Sequence, residues 1–185
     1  MIEKVSPPFS DTRYTYFEPH GLPSGGDWAL QPQGAITLHG TVGGVIDGNH
    51  FTRLDGNAIF TGGYHRGLNI TNNEFSFLGA SAIASWGWTG ECLDLKCEKK
   101  LDGIRMGPDG RGGDQAIGTY IAANIARELG LWQKQSSFYF QAIGAKTTLV
   151  GNVFFNGPRA ALNFNGMHGM HTLGFYILPS GLHHE

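Results

Sequence analysis

The chain of 185 residues is long enough for one domain, and a hydrophobic content of 41% is enough to bury a core. Charged residues make up only 15%, the net charge is −2 and no basic run is present, which argues against nucleic acid and an anionic membrane surface as partners. No apolar run reaches the roughly 18 residues of a membrane span, and the N-terminus has no apolar region typical of a signal peptide.

The first 33 residues are rich in proline, glycine and aromatic residues but show no periodicity. We predict that residues 1–33 form an irregular N-terminal segment. Repeat proteins need such a segment at their ends, because an uncovered end exposes unpaired strand edges and core side chains.

A repeat follows, beginning at about residue 34. Five positions recur at a constant offset of 24 residues: Ile46 and Ile70, Asn49 and Asn73, Phe51 and Phe75, Leu54 and Leu78, Ile59 and Ile83. Looser copies surround Asn124 and Asn152. A fixed period of this length indicates a solenoid or a similar array of repeats.

A parallel β-solenoid explains why one asparagine recurs in each copy. Equivalent residues of successive coils stack about 4.8 Å apart, so asparagines can form a ladder of amide hydrogen bonds while apolar residues form interior columns. We therefore predict an all-β fold, a parallel β-helix of roughly four to five coils over residues 34–165.

The repeat is interrupted after Trp88. Asn73 and Asn124 are 51 residues apart, and subtracting one coil of 24 leaves 27 residues, which we place as a loop insertion at about 89–118. Insertions in repeat proteins often form one wall of a binding face. The insertion contains Cys92 and Cys97, for which a small disulfide and two free thiols are both open.

The segment after the insertion has two interpretations. Apolar residues fall at intervals of three and four from Ile117 to Trp132, which is typical of an amphipathic helix. Asn124 and Leu129 instead keep the spacing of the repeat, which favours a further coil.

Residues 166–185 show no repeat and form a non-repeat tail. The C-terminal end of the solenoid is then open, which makes it a surface for self-association. His168 and His171 are three residues apart but lack neighbouring carboxylate or cysteine ligands, so we predict no metal site there.

The Ile-x-x-Asn-x-Phe and Gly-x-x-Ala-Ile patterns resemble the right-handed parallel β-helix of the pectate-lyase-like superfamily. More narrowly, five segments resemble a group of large secreted β-helix proteins: Phe51-Thr-Arg-Leu-Asp-Gly-Asn-Ala58, Gly112-Gly-Asp-Gln115, Gly118-Thr-Tyr120, Trp132-Gln-Lys-Gln-Ser136 and Phe154-Phe-Asn-Gly-Pro-Arg-Ala-Ala161. The similarity covers roughly residues 24 to 165. It implies right-handed coils, an extracellular location, and a polysaccharide or oligosaccharide as partner.

A groove for sugars is predicted from the alternation of inward and outward residues. With Ile59, Ile83, Phe138 and Leu162 aligned as inward residues, two outward rows follow: Phe60, Ala84, Tyr139 and Asn163, then Gly62, Trp86, Gln141 and Asn165. Aromatic rings stack on sugar rings and amides bond hydroxyl groups. The predicted substrate-binding residues are Trp86, Trp88, Tyr139, Gln141, Asn163 and Asn165. Rows of similar residues in successive coils are also an ordinary property of solenoid surfaces, with or without a binding site.

The resemblance implies lyase or epimerase chemistry, which needs a base and a cation that neutralises a uronate carboxylate. The predicted catalytic residues are Lys134, Arg159 and Asp114, and a calcium ion is a second way to neutralise the carboxylate. Each of the three residues also fits an ordinary role in ordering a loop. The sequence thus leaves two hypotheses. The first is a β-helix module that binds glycan or is a fragment of a polysaccharide-processing enzyme, and the second is an active lyase or epimerase on an acidic glycan. The short groove favours the first.

Overall fold

The computed structural model describes residues 2–3, 33–87 and 114–177, with side chains from 33 to 87 and from 114 to 164. All regular structure in these ranges is β-strand, and none of it is a helix that could cross a membrane. The strands are β1 (Ile2–Glu3), β2 (Gly34–Val42), β3 (Val45–Asp47), β4 (His50–Leu54), β5 (Asn57–Arg66), β6 (Asn69–Thr71), β7 (Glu74–Leu78), β8 (Ile83–Trp86), β9 (Ala116–Ile117), β10 (Tyr120–Ala122), β11 (Ile125–Arg127), β12 (Tyr139–Phe155) and β13 (Leu162–Ile177).

The described strands form a parallel β-solenoid of about four turns, as the repeat predicts. Every described strand pair is parallel, and each strand pairs with its equivalents in the neighbouring coils. Four of the interior columns among the described residues are used below: column 1 is Ile46, Ile70, Ile121 and Leu149; column 2 is Phe51, Phe75, Ala126 and Phe154; column 3 is Ile36, Ile59, Ile83, Tyr139 and Leu162; column 4 is Leu38, Thr61, Ser85, Gln141 and Phe164.

The predicted register of the two regular coils is confirmed. Ile46 pairs with Ile70, Phe51 with Phe75, Leu54 with Leu78 and Ile59 with Ile83. The helical interpretation of residues 117–132 is wrong. Strands β10 and β11 flank Asn124 there, so this segment is a further coil.

The asparagine ladder is also present, formed by Asn49, Asn73, Asn124 and Asn152. The backbone N–H of each of the first three donates to the Oδ1 of the next at 2.9 to 3.0 Å, and its side-chain Nδ2 donates to the same oxygen at 2.9 to 3.2 Å. The Nδ2 of each later asparagine also donates to the carbonyl oxygen of the column 1 isoleucine in the preceding coil, at 2.9 Å. Three of the four asparagines are buried, so these bonds satisfy polar groups within the core.

One corner of the third coil is wider than its equivalents. Five positions separate Leu54 from Ile59 and Leu78 from Ile83, whereas ten separate Leu129 from Tyr139, so five extra residues enter here. The alignment of Phe138 with Ile83 and Leu162 is therefore wrong by one residue, because Tyr139 pairs with both.

Phe138 fills a space in column 2 instead. Its ring centroid lies 6.3 Å from that of Phe75 and 6.5 Å from that of Phe154, on either side of the small Ala126. All four residues are buried in one hydrophobic cluster. A phenylalanine from the corner thus supplies the volume that the strand residue lacks.

The chain returns to the solenoid by Ala116, since β9 pairs with β5 and β12. Most of the predicted insertion, including Cys92 and Cys97, lies outside the described residues. The final strand, β13, pairs with β12 as far as Ile177, beyond the last position at which the repeat is recognisable in the sequence.

Candidate functional site

The outer face of β5, β8 and β12 is where the sugar groove was predicted. The strand pairing places Phe60, Ala84 and Phe140 in one outward row and Gly62, Trp86 and Ala142 in the next. These side chains are buried: Trp86 is only 2% exposed, and the apolar members form a second hydrophobic cluster, separate from the interior. Solvent therefore does not reach Trp86 in this structure.

Tyr139 and Gln141 lie inside the solenoid, in columns 3 and 4. Side chains alternate between the two faces of a strand, so an alignment that is wrong by one residue assigns every side chain to the wrong face. The alignment on Phe138 was wrong in this way, and it therefore placed Tyr139 and Gln141 on the outer face. The Tyr139 hydroxyl donates to Gln141 Oε1 at 2.8 Å, and the Thr147 hydroxyl donates to the same oxygen at 2.6 Å. Both residues are fully buried, so neither can contact a sugar on the outer face.

The remaining predicted sugar-binding residues are only partly described. Asn163 continues the outward row of Phe140 and is buried. Asn165 pairs with Ala142 through its backbone, and Trp88 lies outside the described residues. Their roles in binding stay predictions.

Tyr139 gives the interior a measurable dependence on pH. Burial is the largest cause of its shifted pKa, which is raised to about 12. An unfolded tyrosine loses its proton near pH 10, so the free energy of unfolding is unaffected by this group below pH 10 and falls between pH 10 and 12. We expect a loss of about 2 to 3 kcal/mol in urea unfolding over that window, relative to Tyr139→Phe. If the free energy of unfolding falls equally between pH 10 and pH 12 in the unsubstituted chain and in Tyr139→Phe, the fall does not come from Tyr139.

The wide corner of the third coil presents the described side chains best suited to a ligand. We call it the Trp132 corner and define it as Gly79, Arg159 and residues 131–135. The N–H groups of Trp132 and Gln133 both donate to the Gly79 carbonyl oxygen, at 3.2 and 2.8 Å. Because these backbone bonds attach the loop to the preceding coil, the position of the loop is fixed.

Trp132 is the most exposed aromatic residue among the described side chains, at 60%. One edge of its indole rests on Gly79, where an added Cβ would come within 2.6 Å of Trp132 Cδ1. The absence of a side chain at position 79 thus lets the indole lie against the backbone of the neighbouring coil. One edge of the ring has support and much of its surface remains in water.

Polar side chains lie in the same loop as Trp132 and on the neighbouring coil. Arg159 Nη1 donates to Gln135 Oε1, and Gln133 Oε1 accepts from the Gln135 N–H at 3.1 Å. Lys134 lies between the two glutamines and is exposed. The corner therefore combines an exposed indole, two amides and two cations.

Two of the three predicted catalytic residues thus lie at this corner, and the third does not. Lys134 and Arg159 precede the first residues of β12 and β13, whereas Gln115, next to Asp114, packs against Gly87 at the far end of β8. Four strand residues at 3.3 Å each separate these ends by roughly 13 Å. Asp114 is therefore not part of the Trp132 corner.

Lys134 and Arg159 were proposed as site residues from the sequence but Trp132 was not, and the structure places it at the same corner. The interval of three between Leu129 and Trp132 was read as part of the alternative helix. The five extra residues of the corner also have no equivalent in the other coils, so the repeat gave no position for Trp132. The run Trp132-Gln-Lys-Gln135 was the available signal, because it places an aromatic residue beside amides and a cation.

A metal centre finds no support in the part of the chain that the structure describes. No group of three or more His, Cys, Asp or Glu residues with a geometry suited to a metal ion occurs there. His65, a buried imidazole, is used structurally: its Nδ1 lies 2.6 Å from the Thr41 hydroxyl and its Nε2 lies 3.1 Å from the Gly62 carbonyl oxygen.

Comparison with known proteins gives no relative of this chain. No protein-family model matches it, and neither curated proteins nor solved structures give a match.

Proposed function

We propose that this chain is a β-solenoid module that binds an acidic glycan at the Trp132 corner. The observation that carries the proposal is the 60% exposure of a tryptophan whose backbone and one ring edge are fixed by Gly79. An exposed indole held in one place offers a flat apolar surface at a small cost in conformational entropy.

The chemistry around the indole favours a sugar over an apolar ligand. The apolar face of a sugar ring stacks on an aromatic ring, while its hydroxyl groups bond to side-chain amides such as those of Gln133 and Gln135. Arg159 and Lys134 add positive charge, which favours a carboxylate or sulfate on the sugar. An acidic polysaccharide satisfies all three kinds of group at once.

A polysaccharide lyase is the second candidate function. Lys134 and Arg159 lie at the same corner, so one could act as the base and the other could neutralise a uronate carboxylate. Asp114 lies elsewhere and the aromatic rows of the outer sheet face are buried, so an extended catalytic groove along that face has no support. Binding without turnover is therefore the primary proposal.

The experiment is a calorimetric titration with oligosaccharides from pectin, alginate, chondroitin and neutral glycans, with absorbance at 235 nm followed on the same samples. We expect binding of acidic oligosaccharides only, without new absorbance. Trp132→Ala should weaken binding about five- to thirtyfold, because stacking of this kind contributes about 1 to 2 kcal/mol. Arg159→Gln should weaken binding of acidic oligosaccharides most at low salt, because added salt screens the charge attraction that the substitution removes.

Tyr120→Ala is the matched control, because Tyr120 is an exposed aromatic residue on a different strand, β10. It should bind as the unsubstituted protein does. Equal affinity of Trp132→Ala and the unsubstituted chain, or the absence of binding across the panel, would refute the module. New absorbance that Lys134→Ala abolishes would establish the lyase instead.

A further inference from the structure

Phe77 is a second exposed aromatic residue close to the Trp132 corner. Its side chain is 42% exposed, and it lies two residues before Gly79, the glycine on which the Trp132 indole rests. Two residues of extended chain span at most about 7 Å, so the Cα atoms of Phe77 and Gly79 are no further apart than that. Phe77 therefore lies within the reach of an oligosaccharide bound at Trp132.

The residue after Phe77 connects the two parts of this surface. The Leu78 N–H donates to the Glu128 carbonyl oxygen at 3.0 Å, and the Leu131 N–H donates to the Leu78 carbonyl oxygen at 3.0 Å. Leu78 itself is buried in the interior cluster. These bonds fix the backbone beside Phe77 relative to the loop that carries Trp132.

The backbone of Phe77 has a conformation that large side chains rarely adopt. Its φ is 55°, in the left-handed region, and the equivalent residues of the other coils have φ between 51° and 53°: Arg53, Glu128 and Asn156. Another turn of the solenoid meets the same requirement with glycine in three coils, at Gly43, Gly67 and Gly118. The turn that contains Phe77 has no glycine at this position in any of the four coils. A phenylalanine kept in a strained and exposed place points to a use for its ring.

Arg127 supports one side of the Phe77 ring. Its guanidinium carbon lies over the ring, 5.3 Å from the centroid, which is a cation–π distance. Arg127 Nη2 also lies 3.3 Å from Glu74 Oε1, and this contact orients the guanidinium. The ring thus offers an apolar surface, supported on one side and open to water, that suits stacking on a sugar ring.

The charges around Phe77 differ from those at the Trp132 corner. Arg127 is paired with Glu74, and the residues equivalent to Phe77 in the preceding and following coils, Arg53 and Glu128, carry opposite charges. The Trp132 corner contains two cations and no carboxylate among its residues. Its excess of positive charge favours an acidic sugar, whereas the balanced charges around Phe77 give no such preference and offer donors and acceptors to hydroxyl groups.

We propose that Phe77 is a second sugar subsite, which takes an uncharged sugar unit while the Trp132 corner takes an acidic one. The ligand is then a heteropolysaccharide that contains both acidic and uncharged sugars, rather than a polymer of uronic acid alone. This inference rests on the proposed glycan binding and adds the composition of the glycan to it.

The test compares two series of oligosaccharides of increasing length by calorimetric titration. Unsulfated chondroitin alternates a uronic acid with an uncharged sugar, whereas every sugar of polygalacturonate is acidic. We expect about a fivefold gain in affinity once a chondroitin oligosaccharide is long enough to reach Phe77, since an aromatic contact of this kind contributes about 1 kcal/mol. Phe77→Gly should remove this gain and leave the affinity for galacturonate oligosaccharides unchanged.

The variants at position 77 separate the ring from the backbone. Glycine adopts a positive φ without strain, so Phe77→Gly should fold, as circular dichroism and urea unfolding will show. Phe77→Asn repeats the test with a side chain that also tolerates this region. Phe77→Tyr keeps an aromatic ring and should retain the gain in affinity.

Ala123→Gly is the matched control. Ala123 is exposed and has a φ of 53°, but it lies at a different turn, between β10 and β11. The substitution relieves the same backbone conformation without removing a ring. It should bind both series of oligosaccharides as the unsubstituted chain does.

The subsite and the module fail in different ways. An unchanged gain in Phe77→Gly, with binding still weakened in Trp132→Ala, would overturn the Phe77 subsite and leave the module intact. Equal losses for both series in Phe77→Gly would overturn the assignment of an uncharged sugar. The absence of binding by the unsubstituted chain would overturn the module and the subsite with it.

Discussion

Asn124→Ala is expected to lower the free energy of unfolding by about 3 to 4 kcal/mol, one of the two largest effects of a single substitution in this fold. Its Nδ2 donates to the Ile70 carbonyl oxygen and to Asn152 Oδ1, and its Oδ1 accepts from the N–H and Nδ2 of Asn73. Alanine removes all four bonds. The partners stay buried, so they lose their hydrogen bonds without gaining water.

Urea unfolding measures this loss, and Asn49→Ala is the control. Asn49 begins the ladder and is half-buried, and no described asparagine precedes it. We expect a loss of about 1 kcal/mol there, because water can replace the missing groups at the end coil. Equal losses at the two positions would show that the ladder is not the source of the stability.

Phe138→Ala is expected to cost about 3 to 5 kcal/mol, since it removes a buried ring and leaves a cavity. The ring lies beside the phenylalanine column and compensates for Ala126. Ala126→Phe alone should cost about 1 to 3 kcal/mol, because the space beside it is already filled.

The double variant, Phe138→Ala with Ala126→Phe, tests whether the ring of Phe138 fills the volume that the small side chain of Ala126 leaves empty. The new ring at 126 should occupy the volume vacated at 138, so the double variant should be at least about 1 kcal/mol more stable than the sum of the two losses predicts. Additive losses in thermal and urea unfolding would contradict the assignment of Phe138 to that volume.

Most of the fold could be predicted from the sequence, because the offset of 24 relates the regular coils position by position. Ile46, Phe51 and Ile59 reach their partners without a register error. Asn124 identified the third coil correctly, since the ladder requires an amide at that position in each coil. These predictions succeeded where one side-chain type recurs for a physical reason.

The predicted register was wrong at Phe138 and Tyr139, where no single side-chain type recurs from coil to coil. Phe138 and Tyr139 are consecutive large apolar residues, and both are interior, so hydrophobicity cannot show which of them pairs with Ile83. The count of residues in the corner was needed, and the five extra residues there have no equivalent in other coils. This one-residue error moved Tyr139 and Gln141 from the interior to the predicted groove.

The kinds of residue at the Trp132 corner can be read from the sequence, but which of them lie close together in the structure cannot. Lys134, Arg159 and Asp114 were predicted because lyase or epimerase chemistry needs a base and a cation beside a uronate carboxylate, and their roles stay predictions. The separation of Lys134 and Arg159 from Asp114 follows from which end of a strand each one flanks, and the sequence spacing does not contain that information. The burial of Trp86 likewise depends on the tertiary arrangement.

The widened corner has a consequence for how such proteins diversify. Its extra residues enter between Ile125, which stays paired with Glu74, and Tyr139, which stays paired with Ile83. Mutation can therefore lengthen, shorten or exchange residues 131–135 of this loop while leaving the stacked core, including Phe138, intact. Ligand preference is then free to evolve at one corner of the coil, largely independently of the residues that determine whether the chain folds.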